Sequence, residues 1–407
     1  MKILILSNGK GEDSIAVTVL DQLRQVIGSA ELTVDLAAMP LIGNGNAYAK
    51  AGIEVIDSAD ILPSGGFVLQ KFSSFIADIK AGLFALHSRQ LKTIKHEKPD
   101  LIIAFGDIFP VILALLTGKP VIHVGTAYSV HLRKLITLEK WLFHKCRLVL
   151  SRDELTASHL RDCDINALCV GNPMMDDPLL EGTLNQSPGK PGSGTGQAKG
   201  LRDLGTETTS TATDSSDAEL TTENYQPTTK KDVVGLIPSS RIDAYDNLQK
   251  MIEVIQYIPQ KDNLLFLVSV APNLDTEKIA SIVSGYQDQL DLKLVKGSLG
   301  DVIHPSKIAM GMTGTGNEQV VGLATPLVLL QGSGPQSSPA RMKHYQKLLG
   351  DAVFVPQGND EQVGKQIGAL LKDVEHLEQM GQVGVKRMGP PGAAKAMAAM
   401  IYEYIKE

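Results

Sequence analysis

The feature that most constrains this chain is a polar tract that interrupts two similar halves. From about Glu181 to Lys231 the sequence is built from Gly, Ser, Thr, Pro, Asp, Glu and Lys, and its few large apolar residues are Leu184, Leu201, Leu204, Leu220 and Tyr225. Such a stretch cannot bury enough surface to offset the entropy of ordering, so it is expected to be a disordered linker. On either side, short aliphatic runs alternate with amphipathic stretches, the pattern of βαβ units around a parallel sheet. The first half offers strands at Lys2–Leu6, Leu32–Ala37, Leu101–Phe105, Pro120–Val124, Leu148–Leu150 and Ala167–Val170. The second offers Val233–Leu236, Leu264–Ser269, Leu292–Leu294, Ile308–Met310, Leu327–Leu330 and Val353–Val355. Continuous aliphatic runs suit strands covered on both faces. A closing helix is expected over Ala393–Ile405. The organisation that follows is a first domain over 1–180, a linker over 181–231, a second domain over 232–390 and a terminal helix over 391–407.

The length of 407 residues allows each half its own core, and 43% hydrophobic with 21% charged residues is ordinary for globular proteins. A net charge of −6 argues against nucleic acid as a partner, since phosphate binding needs a basic surface. Cys146, Cys163 and Cys169 lack metal-ligand spacing, so no metal site is expected and they read as buried, reduced thiols in a cytoplasmic protein. Met1–Leu6 enters an apolar run directly, without the basic segment of a signal peptide. The most apolar region, Leu101–Leu116, is too short to span a bilayer and is broken by Gly106, Asp107 and Pro110.

In open parallel sheets ligands bind beyond the carboxyl ends of strands, so chemistry is sought in the loops there. Ser7-Asn8-Gly9-Lys10-Gly11-Glu12-Asp13 is read as a loop before a helix at Ser14–Val26. Gly9 and Gly11 permit close backbone approach, and the helix start offers free N–H groups. The same residues also make sense as a glycine turn with acids at the positive helix end. Asp107, after the strand at Leu101, is placed either as a general base or as the N-cap of the next helix. Gly125, Thr126 and Tyr128 form a third loop suited to a sugar. In the second half, Ser239-Ser240-Arg241 puts hydroxyls and a fixed cation at a helix start, where they suit a diphosphate. Thr313-Gly314-Thr315-Gly316-Asn317-Glu318 offers small residues for phosphate approach and a carboxylate for ribose hydroxyls.

The first of these motifs, together with Leu62-Pro63-Ser64-Gly65-Gly66-Phe67, Ser151-Arg152-Asp153-Glu154-Leu155-Thr156-Ala157, Gly171-Asn172-Pro173-Met174 and the stretch Thr313–Pro335, resembles the lipid-A-disaccharide-synthase-related proteins. That group is similar to lipid-A-disaccharide synthase and, more distantly, to the peptidoglycan N-acetylglucosaminyltransferase. The resemblance implies a GT-B architecture, two Rossmann-like doubly wound parallel-sheet domains facing across a cleft, with no cofactor. It implies that Ser240, Arg241, Thr315 and Glu318 contact UDP, while Gly9, Gly11 and Asp107 face the acceptor. Lys10 stands where histidine is expected in the Ser-Asn-Gly-x-Gly-Glu-Asp motif, and Ser239 where the synthases carry glycine.

The reading that follows is an inverting glycosyltransferase acting on a nucleotide-sugar donor, UDP-linked, and a lipid or lipid-linked acceptor. Asp107, Lys10 and Glu12 are the catalytic candidates. A non-hydrolysing sugar-nucleotide epimerase and a non-catalytic binding protein are the alternatives, because fold alone does not separate them. Two segments suit peripheral contact with the inner face of a membrane: the stripe Phe72, Phe75, Ile76, Ile79 and Leu83, and His131–Arg147, which mixes Leu132, Leu135, Trp141 and Leu142 with Arg133, Lys134, Lys140 and Lys145. Either is equally a surface helix packed on a sheet.

Overall fold

The computed structural model describes residues 1–30, 32–58, 83–182 and 231–406. Phe72, Phe75, Ile76 and Ile79 of the apolar stripe, the Leu62–Phe67 motif and nearly all of the expected linker lie outside the described residues. The first half forms a sheet of β1 (Lys2–Ser7), β2 (Asp35–Pro40), β3 (Glu54–Val55), β4 (Leu101–Phe105), β5 (Val121–Gly125), β6 (Leu148–Ser151) and β7 (Ala167–Leu168). Its order is β3-β2-β1-β4-β5-β6-β7, and its pairings are parallel. The second half contains β8 (Asp232–Ile237), β9 (Leu264–Val270), β10 (Leu292–Lys296), β11 (Ser306–Gly311), β12 (Leu327–Leu329) and β13 (Val353–Phe354). These pair in parallel in the order β10-β9-β8-β11-β12-β13.

Each sheet therefore reverses its winding once, between β1 and β4 and between β8 and β11. A reversal leaves a crevice at the strands' carboxyl ends, because the helices on either side depart in opposite directions. The central strands are inaccessible on both faces: Ile3, Leu4, Ile5 and Leu6 are wholly buried, as are Ile102 to Phe105. That double burial is why these strands appear in the sequence as unbroken aliphatic runs rather than as alternating patterns.

Three expectations are corrected. The first helix runs over Lys10–Ser29, four residues earlier than the expected start at Ser14. Gly9, at φ +137°, turns the chain sharply enough that Lys10–Asp13 already form the opening turn, where Glu12 and Asp13 suit the positive end. The second strand is Asp35–Pro40 rather than Leu32–Ala37, since pairing aligns Asp35 with Lys2 and Pro40 with Ser7. Over His131–Arg147 only Thr137–Phe143 is helical. There Leu135, Leu142 and Phe143 are buried, and Glu139 is held by Arg133 at 2.5 Å.

The halves are joined at several points. The last helix, Ala393–Lys406, returns to the N-terminal half, where Ala394, Met397, Ala398 and Ile401 share a core with Ala16, Val19, Leu20 and Leu23 of the first helix. Asp176 secures the start of that helix: its carboxylate accepts from the backbone N–H of Gly392 and, at 2.7 Å, of Ala394. In the other direction, Ile15, Met174 and Met175 pack into the core under β8 and β11.

Candidate functional site

The loops beside the two winding reversals face one another. A Cβ on Gly11 would lie 3.3 Å from Thr315 Oγ1, so the opening turn of the first helix meets the loop after β11. Gly9, Gly11, Glu12, Thr315 and Glu318 are thereby brought to one place. Lys10 opens the helix by its backbone, and its side chain lies outside what the structure describes.

Glu12 is the most perturbed acid here. It is half-buried, and loss of water raises its carboxyl from the ordinary 4.5 to about 7. Hydrogen bonding to its own backbone opposes the rise, while the nearby charges of Asp107, Asp13 and Glu318 reinforce it. A carboxyl poised near neutrality suits proton transfer at physiological pH. Behind it lies a buried chain that sequence reading missed: Tyr48 donates to Ser7 Oγ at 2.7 Å, and Ser7 donates to Asp13 Oδ1 at 2.5 Å. Burial also pushes Asp13 up, to about 6, with the Ser7 bond opposing.

Asp107 fills the N-cap position, accepting from the N–H of Phe109 at 2.8 Å. Its half-buried side chain also lines a cavity of about 430 Å³ between the halves. Ile108, Tyr128, Leu132 and Phe143 form the N-terminal wall, and Lys343, His344 and Lys347 of the helix Pro339–Leu349 the other. Burial, with Arg341 adding to it, lowers His344 to about 4 and so keeps it neutral. A second hollow, of about 410 Å³ beside Lys231, Asp262 and Asp291, lies at the amino ends of the strands, away from these loops.

In the C-terminal half, Ser240 and Arg241 are exposed at the carboxyl end of β8. Ser239 instead braces the turn: its hydroxyl donates to Asp243 Oδ1 at 2.9 Å and accepts from the N–H of Arg241 at 3.2 Å. Its φ of +155° belongs to the region that favours glycine. Asn317 is also internal, donating to the carbonyl of Thr313 at 2.7 Å. Thr313 is buried, whereas Gly314, Thr315 and Gly316 keep partial exposure. Tyr345, another residue missed by sequence reading, supports this loop through its hydroxyl, 3.2 Å from the carbonyl of Gly314.

Glu318 sits in the helix Thr315–Gly322 and is nearly enclosed. Its Oε2 accepts from Arg152 Nη2 at 2.5 Å, across the division between the halves. Arg152 lies in one of the resemblance motifs but carried no site assignment from the sequence. Among the described residues, no group of three His, Cys, Asp or Glu side chains is placed to hold a metal ion. No described helix is long and apolar enough to cross a membrane.

No protein-family profile and no curated protein sequence matches this chain. Solved structures do. The UDP-GlcNAc 2-epimerase from Neisseria meningitidis bound to UDP-GlcNAc superposes with a TM-score of 0.57 at 12% identity, covering 99% of this chain and 100% of that one. The S. aureus MnaA–UDP structure gives 0.57 at 14% identity, covering 100% and 97%. The spinosyn rhamnosyltransferase SpnG with thymidine diphosphate gives 0.51 at 12%, covering 99% and 100%. At these identities the likeness is one of fold, and it extends over the whole of both chains: this protein has the GT-B architecture, two parallel-sheet α/β domains, shared by sugar-nucleotide epimerases and glycosyltransferases.

Proposed function

We propose that the protein is an inverting glycosyltransferase that moves a sugar from a UDP-linked donor to a lipid or lipid-linked acceptor. The observation that carries this reading is the apposition of Glu12, a carboxyl held near neutrality, with the small-residue loop Thr313–Gly316 of the opposite half. One wall offers a proton acceptor, and the other a surface that phosphate can approach. In the proposed reaction the acceptor hydroxyl attacks the anomeric carbon from the face opposite the diphosphate. Its proton passes to Glu12, the bond from sugar to phosphate oxygen breaks, and UDP departs. Arg241 and the N–H groups at the start of the helix Thr315–Gly322 stabilise the charge on the leaving diphosphate. Glu318 accepts from ribose hydroxyls, and Asp107 with Lys10 orients the acceptor. The cavity beside Asp107 supplies apolar surface for a lipid. Ile136, Leu138 and Trp141, at 56%, 56% and 57% exposure, give that side of the molecule an apolar rim among Lys134, Lys140 and Lys145. This supports work at the inner face of a membrane.

A second reading, a sugar-nucleotide epimerase, is favoured by the fold likeness to the Neisseria epimerase and by the closeness of Glu12, Asp107 and Glu318. Incubating the protein with UDP-sugars, with and without lipid acceptors, separates the two. An epimerised sugar nucleotide without acceptor supports the second reading, and acceptor-dependent UDP release the first. Calorimetric titration tests the donor assignment. Arg241→Ala is expected to weaken UDP by about one to two orders of magnitude and uridine far less, because a charge-assisted bond to phosphate contributes about 1.5–3 kcal/mol. Glu318→Ala is expected to weaken both by similar factors. Equal binding by the wild type and both variants would exclude this donor site.

A further inference from the structure

Arg152 follows β6 in the N-terminal half, yet its guanidinium is enclosed against the C-terminal one. It is 5% exposed, with Nη1 donating to the carbonyl of Thr126 at 3.0 Å and Nη2 donating to Glu318 at 2.5 Å. Met388 Sδ lies 3.6 Å from Nη2 and closes its third side. Glu318, at 6% exposure, thus has its charge balanced by a residue of the other half. A buried carboxylate needs such a partner, and the planar guanidinium fixes the carboxylate's direction as well as its charge. The pair lies one helical turn beyond Thr315, where Gly11 makes the other close approach between the halves.

We infer that Arg152 is a positioning residue for the nucleotide. Reaching across from the N-terminal half, it occupies one oxygen of Glu318 and aims the carboxylate at the ribose hydroxyls. The donor site is then built from residues of both halves. This rests on the donor reading proposed above, in which Glu318 meets the ribose.

The test uses the full chain and its Arg152→Met and Arg152→Lys variants, titrated with UDP, uridine and inorganic pyrophosphate. Arg152→Met is expected to weaken UDP and uridine by the same factor, about tenfold or more, as loss of a charge-assisted bond would. Pyrophosphate, which has no ribose, is expected to bind within about twofold of wild type. Arg152→Lys keeps the charge but loses the planar fork, so it should recover part of the loss, again equally for UDP and uridine. It also carries the test if the methionine variant does not fold. In the Glu318→Gln background, Arg152→Met should have no further effect on uridine, because the two residues act as one unit. A general structural role would lower pyrophosphate binding too and would overturn the inference. So would unchanged UDP and uridine binding, or a loss confined to UDP, which would place Arg152 on the diphosphate itself. If the wild type binds neither UDP nor uridine, the nucleotide-sugar reading falls together with this one. Wild-type binding with unaffected Arg152 variants overturns the role of Arg152 alone.

Discussion

Replacing Glu12 by glutamine converts the folded-state perturbation of this carboxyl into a measurable dependence of stability on pH. In the folded protein, burial raises Glu12 from 4.5 to about 7, with Asp107, Asp13 and Glu318 adding to the rise. A raised carboxyl means that the fold prefers the protonated acid. The resulting cost is absent below about pH 4.5, where both states are protonated, and grows as pH rises toward 7. Above about 7 it is constant. At about 1.4 kcal/mol per pH unit, the difference between 4.5 and about 7 amounts to about 3 kcal/mol. Residual solvent contact trims this to about 2–3 kcal/mol. Glutamine resembles the protonated acid in shape and carries no charge, so Glu12→Gln escapes the cost. Asp13, raised to about 6, adds a slope of its own to both proteins, and only the part that comes from its charge coupling to Glu12 differs between them. Urea unfolding of both full-length chains at pH 5, 6, 7 and 8 provides the assay. The variant should gain on the wild type by about 2–3 kcal/mol between the two extremes, with the curves nearly together at the acid end. A gap that stays constant across this range would show that Glu12 does not titrate near 7, and would remove the near-neutral proton acceptor on which the proposed function rests. Under the proposed reaction the same titration should appear in activity, with turnover rising through about pH 7 in the wild type and lost in the variant.

Two further expectations concern helix packing, one within the second half and one where the last helix begins. Gly384 packs its helix against the carbonyl of Val321, which a Cβ would approach to 2.2 Å. Gly384→Ala should therefore cost about 1–3 kcal/mol in thermal or urea unfolding, because backbone must move to admit the methyl group. Asp176→Ala removes the acceptor at the start of the last helix and should cost about 1–2 kcal/mol, with increased amide exchange at Gly392 and Ala394.

Most of the strands and the loops after them were legible from the sequence. Strands covered on both faces must be apolar throughout, so β1, β4 and β9 stand out as aliphatic runs whatever surrounds them. The Glu54–Val55 strand was not legible, since two residues at a sheet edge carry no periodic signal. Glycine and hydroxyl residues after strands marked the loops at Gly9, Ser239 and Gly314, because tight turns need those residue types wherever they occur. The exact start of the first helix escaped because Gly9 turns the chain within a single residue, and composition does not specify a dihedral angle.

Composition and local periodicity report how far each element is buried, which is a property of neighbours along the chain. By themselves they determined two parallel-sheet halves, most of their strands and the loops after them. Only the tertiary structure decided that the last helix returns to the first half, that Tyr48 backs Ser7 and Asp13, and that Asp107 lies beside a cavity walled by both halves. It alone joined Arg152 to Glu318, residues 166 positions apart. Side chains that distant meet only because two sheets, each folded from its own local pattern, pack with their reversal points facing. No local pattern records that packing, because it depends on the shape of the whole surface and not on any one segment.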